Sequence, residues 1–131
     1  MQQQSHKQQP SHKEAAREFL TMAAAGNVRE AYRKHVAANF RHHNPNFRGD
    51  ADSLMTAMEE NAAKNPDKSL EIQMALQEGD LVAVFSRVKQ KPADPGGAVV
   101  HIFRFQGDRI SEFWDIGQAV PEKSPNENGM F

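Results

Sequence analysis

Apolar residues recur at helical spacing through the first half of the chain and at every second position through the latter half. Ala15, Phe19, Met22 and Ala23 share one face of a predicted helix. Ser11 caps that helix, and Glu14, three residues on, completes a capping box. Gly26-Asn27 ends it. A second helix is predicted from about Val28 to Val36, with Val28, Ala31, Tyr32 and His35 on its apolar face. Phe40 to Asn44 reads as a short extended stretch stopped by Pro45. Asp50 or Asp52 then starts a third helix carrying Leu54, Met55, Met58 and Ala62, which Asn65-Pro66-Asp67 closes. Beyond it the period becomes two. Leu70, Ile72, Met74 and Leu76 alternate with Glu71, Gln73 and Ala75, as in a half-buried strand. Glu78-Gly79-Asp80 is a turn, and Leu81 to Lys89 a second strand. After the loop Pro92 to Gly97, Ala98 to Phe105 forms a third strand, Gly107-Asp108 a tight turn, and Arg109 to Ile116 a fourth. Three helices followed by a four-strand meander predict an α+β fold, with helices lying across a curved antiparallel sheet and enclosing a pocket.

Length and charge narrow the function classes. The 131 residues suit one domain, expected over residues 11–131, with residues 1–10, polar and glutamine-rich, as a flexible N-terminal segment. A net charge of −1 gives no electrostatic case for nucleic acid or an anionic membrane. Cysteine is absent, which removes disulfides, thiolate chemistry and cysteine-built metal sites. Met1 to Pro10 does not read as a signal peptide, and no apolar run approaches the roughly 18 residues of a membrane span. A soluble cytoplasmic protein is expected. No cofactor is expected either, because the only close glycines, Gly96-Gly97, lie between strands instead of opening a helix.

Candidate chemistry comes from polar residues set in apolar surroundings. His101 interrupts the run Val99 to Phe105, and Asp115 follows Phe113-Trp114. A buried polar group without a partner costs roughly 1–3 kcal/mol, so His101 needs either a hydrogen-bond partner or a function. Strand positions of matching parity would aim His101 and Asp115 into one cavity. A three-residue loop after Gln106 sets them opposite each other, whereas a two-residue loop would place His101 beside Trp114. His43 is a candidate second acid near the pocket mouth, with His42 facing solvent by alternation. Asn44 is a candidate ligand, or forms an Asx-type backbone bond ahead of Pro45. Phe85, Phe103 and Phe113 are candidate walls for an apolar ligand. Trp114, of opposite parity to Asp115, belongs on the outer sheet face, where it could anchor a dimer, and Tyr32 belongs in the core. A metal reading, with His43, His101 and Asp115 as two-histidine, one-carboxylate ligands, has long spacings and no compact motif behind it; no metal is expected. Structural readings stand beside the functional ones: a satisfied core histidine for His101, a strand-end ion pair for Asp115.

His43-Asn44-Pro45, Gly79-Asp80-Leu81-Val82-Ala83-Val84, Ile102-Phe103-Arg104-Phe105 and Ile110-Ser111-Glu112-Phe113-Trp114-Asp115 carry a family resemblance. In this order they resemble the nuclear transport factor 2-like superfamily, and within it the SnoaL-like proteins, a group named for polyketide cyclases that close a ring by aldol condensation. The ending Val120 to Ser124 with Asn128 to Phe131 is similar to a bacterial subgroup associated with aldol-type condensation. The resemblance covers roughly residues 11–131. It implies a cone-shaped α+β domain and a homodimer through the outer sheet face. It also implies general acid/base work by Asp115, which matches the aspartate of the cyclases' last long strand. Ketosteroid isomerases of the superfamily use a carboxylate base, a tyrosine and a protonated aspartate. The matching positions here are Asn44, Phe19 and His101, which argues against steroid-type isomerisation, since phenylalanine cannot donate and asparagine is no base. The resulting expectation is a cofactor-free lyase, isomerase or cyclase acting on a small hydrophobic carbonyl compound. Asp115 would be the base, His101 the partner or oxyanion donor and His43 an auxiliary acid, with Asn44, Phe19, Phe85, Phe103 and Phe113 contacting substrate. The alternatives are a non-catalytic small-molecule-binding module, and a dimeric interaction protein with a vestigial pocket.

Overall fold

The computed structural model describes residues 10–131, so the expected flexible segment lies, apart from Pro10, outside the described residues. Helix α1 spans His12–Ala24 and begins at the expected cap: Glu14 N donates to Ser11 Oγ (3.0 Å) and Ser11 N donates to Glu14 Oε1 (2.9 Å). Gly26, at φ +94°, then turns the chain in the left-handed region that closes helices, and α2 runs Val28–His35. Of the two candidate caps for the third helix, Asp50 is the one used. Its Oδ2 accepts from Ser53 N at 2.9 Å, and α3 spans Ala51–Lys64.

Strands β1 (Val36–His42), β2 (Ser69–Glu78), β3 (Leu81–Lys89), β4 (Gly97–Gln106) and β5 (Arg109–Ala119) form one sheet in the order β1-β5-β4-β3-β2. The meander β2 to β5 is antiparallel as expected. The short extended stretch is longer than its local pattern suggested and adds parallel to β5, making the sheet mixed. That pairing joins segments some seventy residues apart, which local periodicity does not report.

Two β-bulges decide which side chains face inward. In β2 the register shifts between Ile72 and Met74, so Gln73 is the extra residue. Leu70 and Ile72 therefore pack toward the helices, while Met74 and Leu76 point outward at 53% and 65% exposure. The simple alternation had put all four on one face. In β5 the chain makes a two-residue turn, Gln106 pairing with Arg109, and then shifts by one between Phe105–Ile110 and Arg104–Glu112. Ser111 is the extra residue. His101 thus pairs with Asp115, the register expected of a longer turn, reached instead by a bulge.

On the inner face Phe103, Phe105, Ile110 and Phe113 meet Phe19 and Tyr32 in a close-packed core. Phe19 contacts Phe103 and Phe113 edge-on at 6.0 and 6.2 Å between centroids, filling the narrow end of the cone. Each such ring, fully withdrawn from water, contributes roughly 1.5–3 kcal/mol. No helix among the described residues is long and apolar enough to cross a membrane.

Candidate active site

At its wide end the cone stays open. A cavity of about 210 Å³ lies under α1, walled by Leu20, Ala23, Leu70, Val88 and Val99, with His101 and Asp115 on the sheet side. A second lobe, also about 210 Å³, reaches toward α3 and is lined by polar side chains, Asn44, Asn61 and Gln90, beside Phe47 and Leu54. Met58, Lys68 and Asp115 border both lobes and form the neck between them. A wider, shallow surface depression of about 500 Å³ lies between Asn46–Arg48 and α3; it shares Phe47 with the second lobe but is not lined by His101, Lys68 or Asp115.

Asp115 and His101 reach the cavity because they are cross-strand partners of one parity. Asn44 Nδ2 donates to Asp115 Oδ2 at 3.0 Å; Asp115 Oδ1 is sealed from solvent and has no hydrogen-bond partner. His101 Nδ1 is likewise sealed and unpartnered. The His101 ring stacks on Phe113 at 5.6 Å. Burial drives the His101 pKa down from 6.5 to about 4; the negative Asp115 opposes this and the positive Lys68 adds to it. The imidazole is therefore neutral at neutral pH and carries a single N–H. Tyr32, which donates to Met58 Sδ at 3.2 Å, has its phenol pushed well up, first by burial and then by the charge of Asp115. It stays protonated, in the core as expected.

Five of the residues expected at the site do not line it: His43, Phe85, Phe19, Phe103 and Phe113. His43 projects from the opposite face of the sheet, stacked on Trp114 at 4.9 Å, with its Nε2 2.6 Å from Glu112 Oε2. Its partner in sequence, His42, is the buried one: Nε2–H donates to Arg48 O and Nδ1 accepts from Asn44 N at 3.1 Å. The expected phase of the alternation is reversed, because the pairing of His42 with Phe113 turns His42 inward. Phe85 lies outside as well. Val84 pairs with His101, so its neighbour faces away, where it stacks on Phe131 at 5.8 Å. With His43 on the other face, His43, His101 and Asp115 form no ligand set, and no group of three or more metal-ligating side chains occurs among the described residues. Phe19, Phe103 and Phe113 are packed core beneath the cavity and do not wall it. Asn44 is at the site, holding Asp115, and its Oδ1 also accepts from Asn46 N in the expected Asx turn.

Sequence reasoning passed over Lys68 and Gln90. Both had a signal: Lys68 precedes the inward Leu70 by two residues, and Gln90 follows the inward Val88 by two. A polar residue at an inward parity position is the mark of a cavity or of a buried network.

The family of the SnoaL-like domain matches residues 16–113. The chain belongs to it. The match ends two residues before Asp115, so this SnoaL-like domain carries His101 inside the matched stretch and its cavity carboxylate just beyond it. No curated protein matches the sequence. Among solved structures, an NTF2-like protein of unknown function from Cytophaga hutchinsonii is 18% identical, covers 86% of this chain and 94% of its own, and gives a TM-score of 0.67. A proposed polyketide cyclase from Acidithiobacillus ferrooxidans is 20% identical, with 83% and 89% covered and a TM-score of 0.66. A proposed hydroxylase from Streptomyces galilaeus is 24% identical, with 83% and 81% covered and a TM-score of 0.64. At these identities the likeness is one of fold: the SnoaL-like domain is a nuclear transport factor 2-like cone, as the order of elements had implied.

Proposed function

We propose that the protein is a cofactor-free enzyme of general acid/base type, acting on a small hydrophobic carbonyl compound in an aldol-type condensation, cyclisation or isomerisation. The observation that carries this reading is an imidazole and a carboxylate on facing residues, His101 and Asp115, which line a largely apolar cavity and make no hydrogen bond to each other. Asp115 is the base that removes a proton from the carbon beside a carbonyl. Neutral His101 offers its single N–H to the oxygen on which negative charge then develops. Asn44 holds the carboxylate in position through Oδ2. His43 has no part in this scheme, being on the far side of the sheet.

The test is turnover of an activated β-dicarbonyl panel by the wild type, Asp115→Asn and His101→Ala. Loss of turnover in both variants supports the scheme. Unchanged turnover in both would overturn it.

A binding module is the second reading, favoured by one observation: His101 and Asp115 make no hydrogen bond to each other, so they can serve as independent polar contacts for a held ligand. Ligand capture insensitive to Asp115→Asn, with no turnover, would select it. The vestigial-pocket reading finds no support in the tail, because Phe131 docks on the outer face and not in the cavity.

We further propose a homodimer through that outer face. Two adjoining cross-strand rows, Met74-Phe85-Val100-Ile116 and Leu76-Ala83-Ile102-Trp114, present a continuous apolar surface across four strands. Exposed apolar patches of this extent mark association sites. Ile102→Lys should convert a dimer to a monomer by light scattering; a wild-type monomer at micromolar concentration overturns the assignment.

A further inference from the structure

Among the described residues Lys68 is the one cationic side chain bordering the cavity, and it stands at the neck where the lobes meet. Its Nζ donates to a neutral amide, Asn61 Oδ1, at 2.7 Å, and no carboxylate among the described residues pairs with it. An ammonium has three N–H donors and no acceptor, so at least part of its donor capacity is directed at the cavity. Burial already works against its charge and lowers its pKa. Beside it in the same lobe, Gln90 Oε1 is sealed and unpartnered, while Asn44 and Asn61 supply further amide groups. The first lobe has the reverse character, lined by aliphatic side chains from α1, β2, β3 and β4. A half-buried cation without a counter-ion facing an amide-lined lobe, joined through a neck to an aliphatic one, is complementary to an amphipathic anion.

We propose that the polar lobe is an anion-recognition subsite. It takes the carboxylate of a small carbonyl acid on Lys68, while the apolar body of that acid fills the lobe under α1. This inference rests on the enzymatic reading above and narrows it from a hydrophobic carbonyl compound to one bearing a carboxylate. The bound acid then spans the neck, which brings its middle atoms past Asp115 and His101. Lys68 fixes orientation: a neutral analogue lacks the group that selects one end for the polar lobe, and it enters either way round. Asp115, which also borders the polar lobe, works against the anion through its own negative charge, and Asn44 Nδ2 satisfies one of its oxygens by donating to Oδ2.

The experiment is a nuclear magnetic resonance titration of the full chain with 3-phenylpropanoate and with its neutral amide, 3-phenylpropanamide. The wild type should bind the acid at least about tenfold more tightly than the amide. Lys68→Met, close in length and uncharged, should bring the acid down to the affinity of the amide while leaving the amide unchanged. Lys68→Arg should keep the preference. Unaltered amide binding also shows that the Lys68→Met cavity is intact. Equal wild-type affinities, absence of acid binding at millimolar concentration, or a preference that survives Lys68→Met each overturns the subsite. None of these readouts needs turnover, so the two proposals fail separately. An acid preference lost in Lys68→Met with no Asp115-dependent turnover would sink the enzyme reading and leave the subsite standing.

Discussion

Two carboxylates three residues apart on β5 meet opposite treatment. Glu112 lies on the outer face and is 7% exposed, yet it is ringed by donors: His43 at 2.6 Å, Arg41 at 3.2 Å to each oxygen, and Arg104 at 3.3 Å. Asp115 lies on the inner face with one amide on one oxygen and nothing on the other. Charge-assisted hydrogen bonds stabilise the first carboxylate and hold its neighbours in place. The second is left under-satisfied in a place where water is largely excluded. The contrast separates structure from chemistry. A fully satisfied carboxylate has no free lone pair with which to take a proton, whereas Asp115 Oδ1 keeps one.

Several substitutions would break this contrast. The largest effect is expected from Asp115→Asn, which should lower turnover by about a hundredfold or more, the usual worth of a general base, while changing the urea midpoint little. Glu112→Gln should do the converse, leaving turnover within a few-fold.

Acidification should separate the faces next. The inner face responds through His101, whose folded pKa of about 4 lies below its ordinary 6.5. The unfolded chain binds the extra proton between those values, so stability is complete above pH 6.5 and declines as pH falls toward 4. The loss is up to roughly 3 kcal/mol for a shift of this size, lessened wherever the cavity admits water. Urea midpoints against pH should show that slope in the wild type and a shallower one in His101→Gln. Glu112 behaves differently. Hydrogen bonding from His43, then from Arg104 and Arg41, holds its carboxyl below the usual 4.5, against the opposing effect of burial. Its stabilisation is present above the unfolded value and is lost only as pH falls through the lower folded one. The inner face therefore weakens first on acidification, and the outer cluster later.

Smaller effects test the outer face alone. Glu112→Ala leaves Arg41, Arg104 and His43 without their shared acceptor and should cost about 2 kcal/mol in urea unfolding, below the range for a fully buried pair because Arg41 is 65% exposed. Removing Phe131, which stacks on Phe85 and lies 4.9 Å under the Arg87 guanidinium, should cost about 0.5–1 kcal/mol without altering ligand affinity in the cavity.

Much of the frame was legible along the chain. Ser11 with Glu14, Gly26-Asn27 and the turns at Gly79 and Gly107 are local signals, and each does locally what its chemistry requires. The strand Leu81–Lys89 begins and ends where its pattern does. Parity was legible only between irregularities. The plain alternation groups Met74 and Leu76 with Leu70 and Ile72, and the bulge at Gln73 reverses them. His42 and His43 exchanged roles because the phase of β1 is set by its pairing to β5, not by its own residues. Lys68 went unremarked although its spacing from Leu70 marked it as inward.

By itself, then, the sequence determined the order and kind of the elements and the presence of His101 and Asp115 on adjoining strands. These follow from interactions within a few residues of each other: caps, turns, and the two periods of apolar side chains. Only the tertiary structure decided that those two residues share a cavity, that His43 does not, and that Lys68 stands at its neck. The reason is the pleat. One extra residue in a strand, Ser111 in β5, sends every side chain beyond it to the other face, and that residue is accommodated by pairing with a neighbouring strand that no local pattern records.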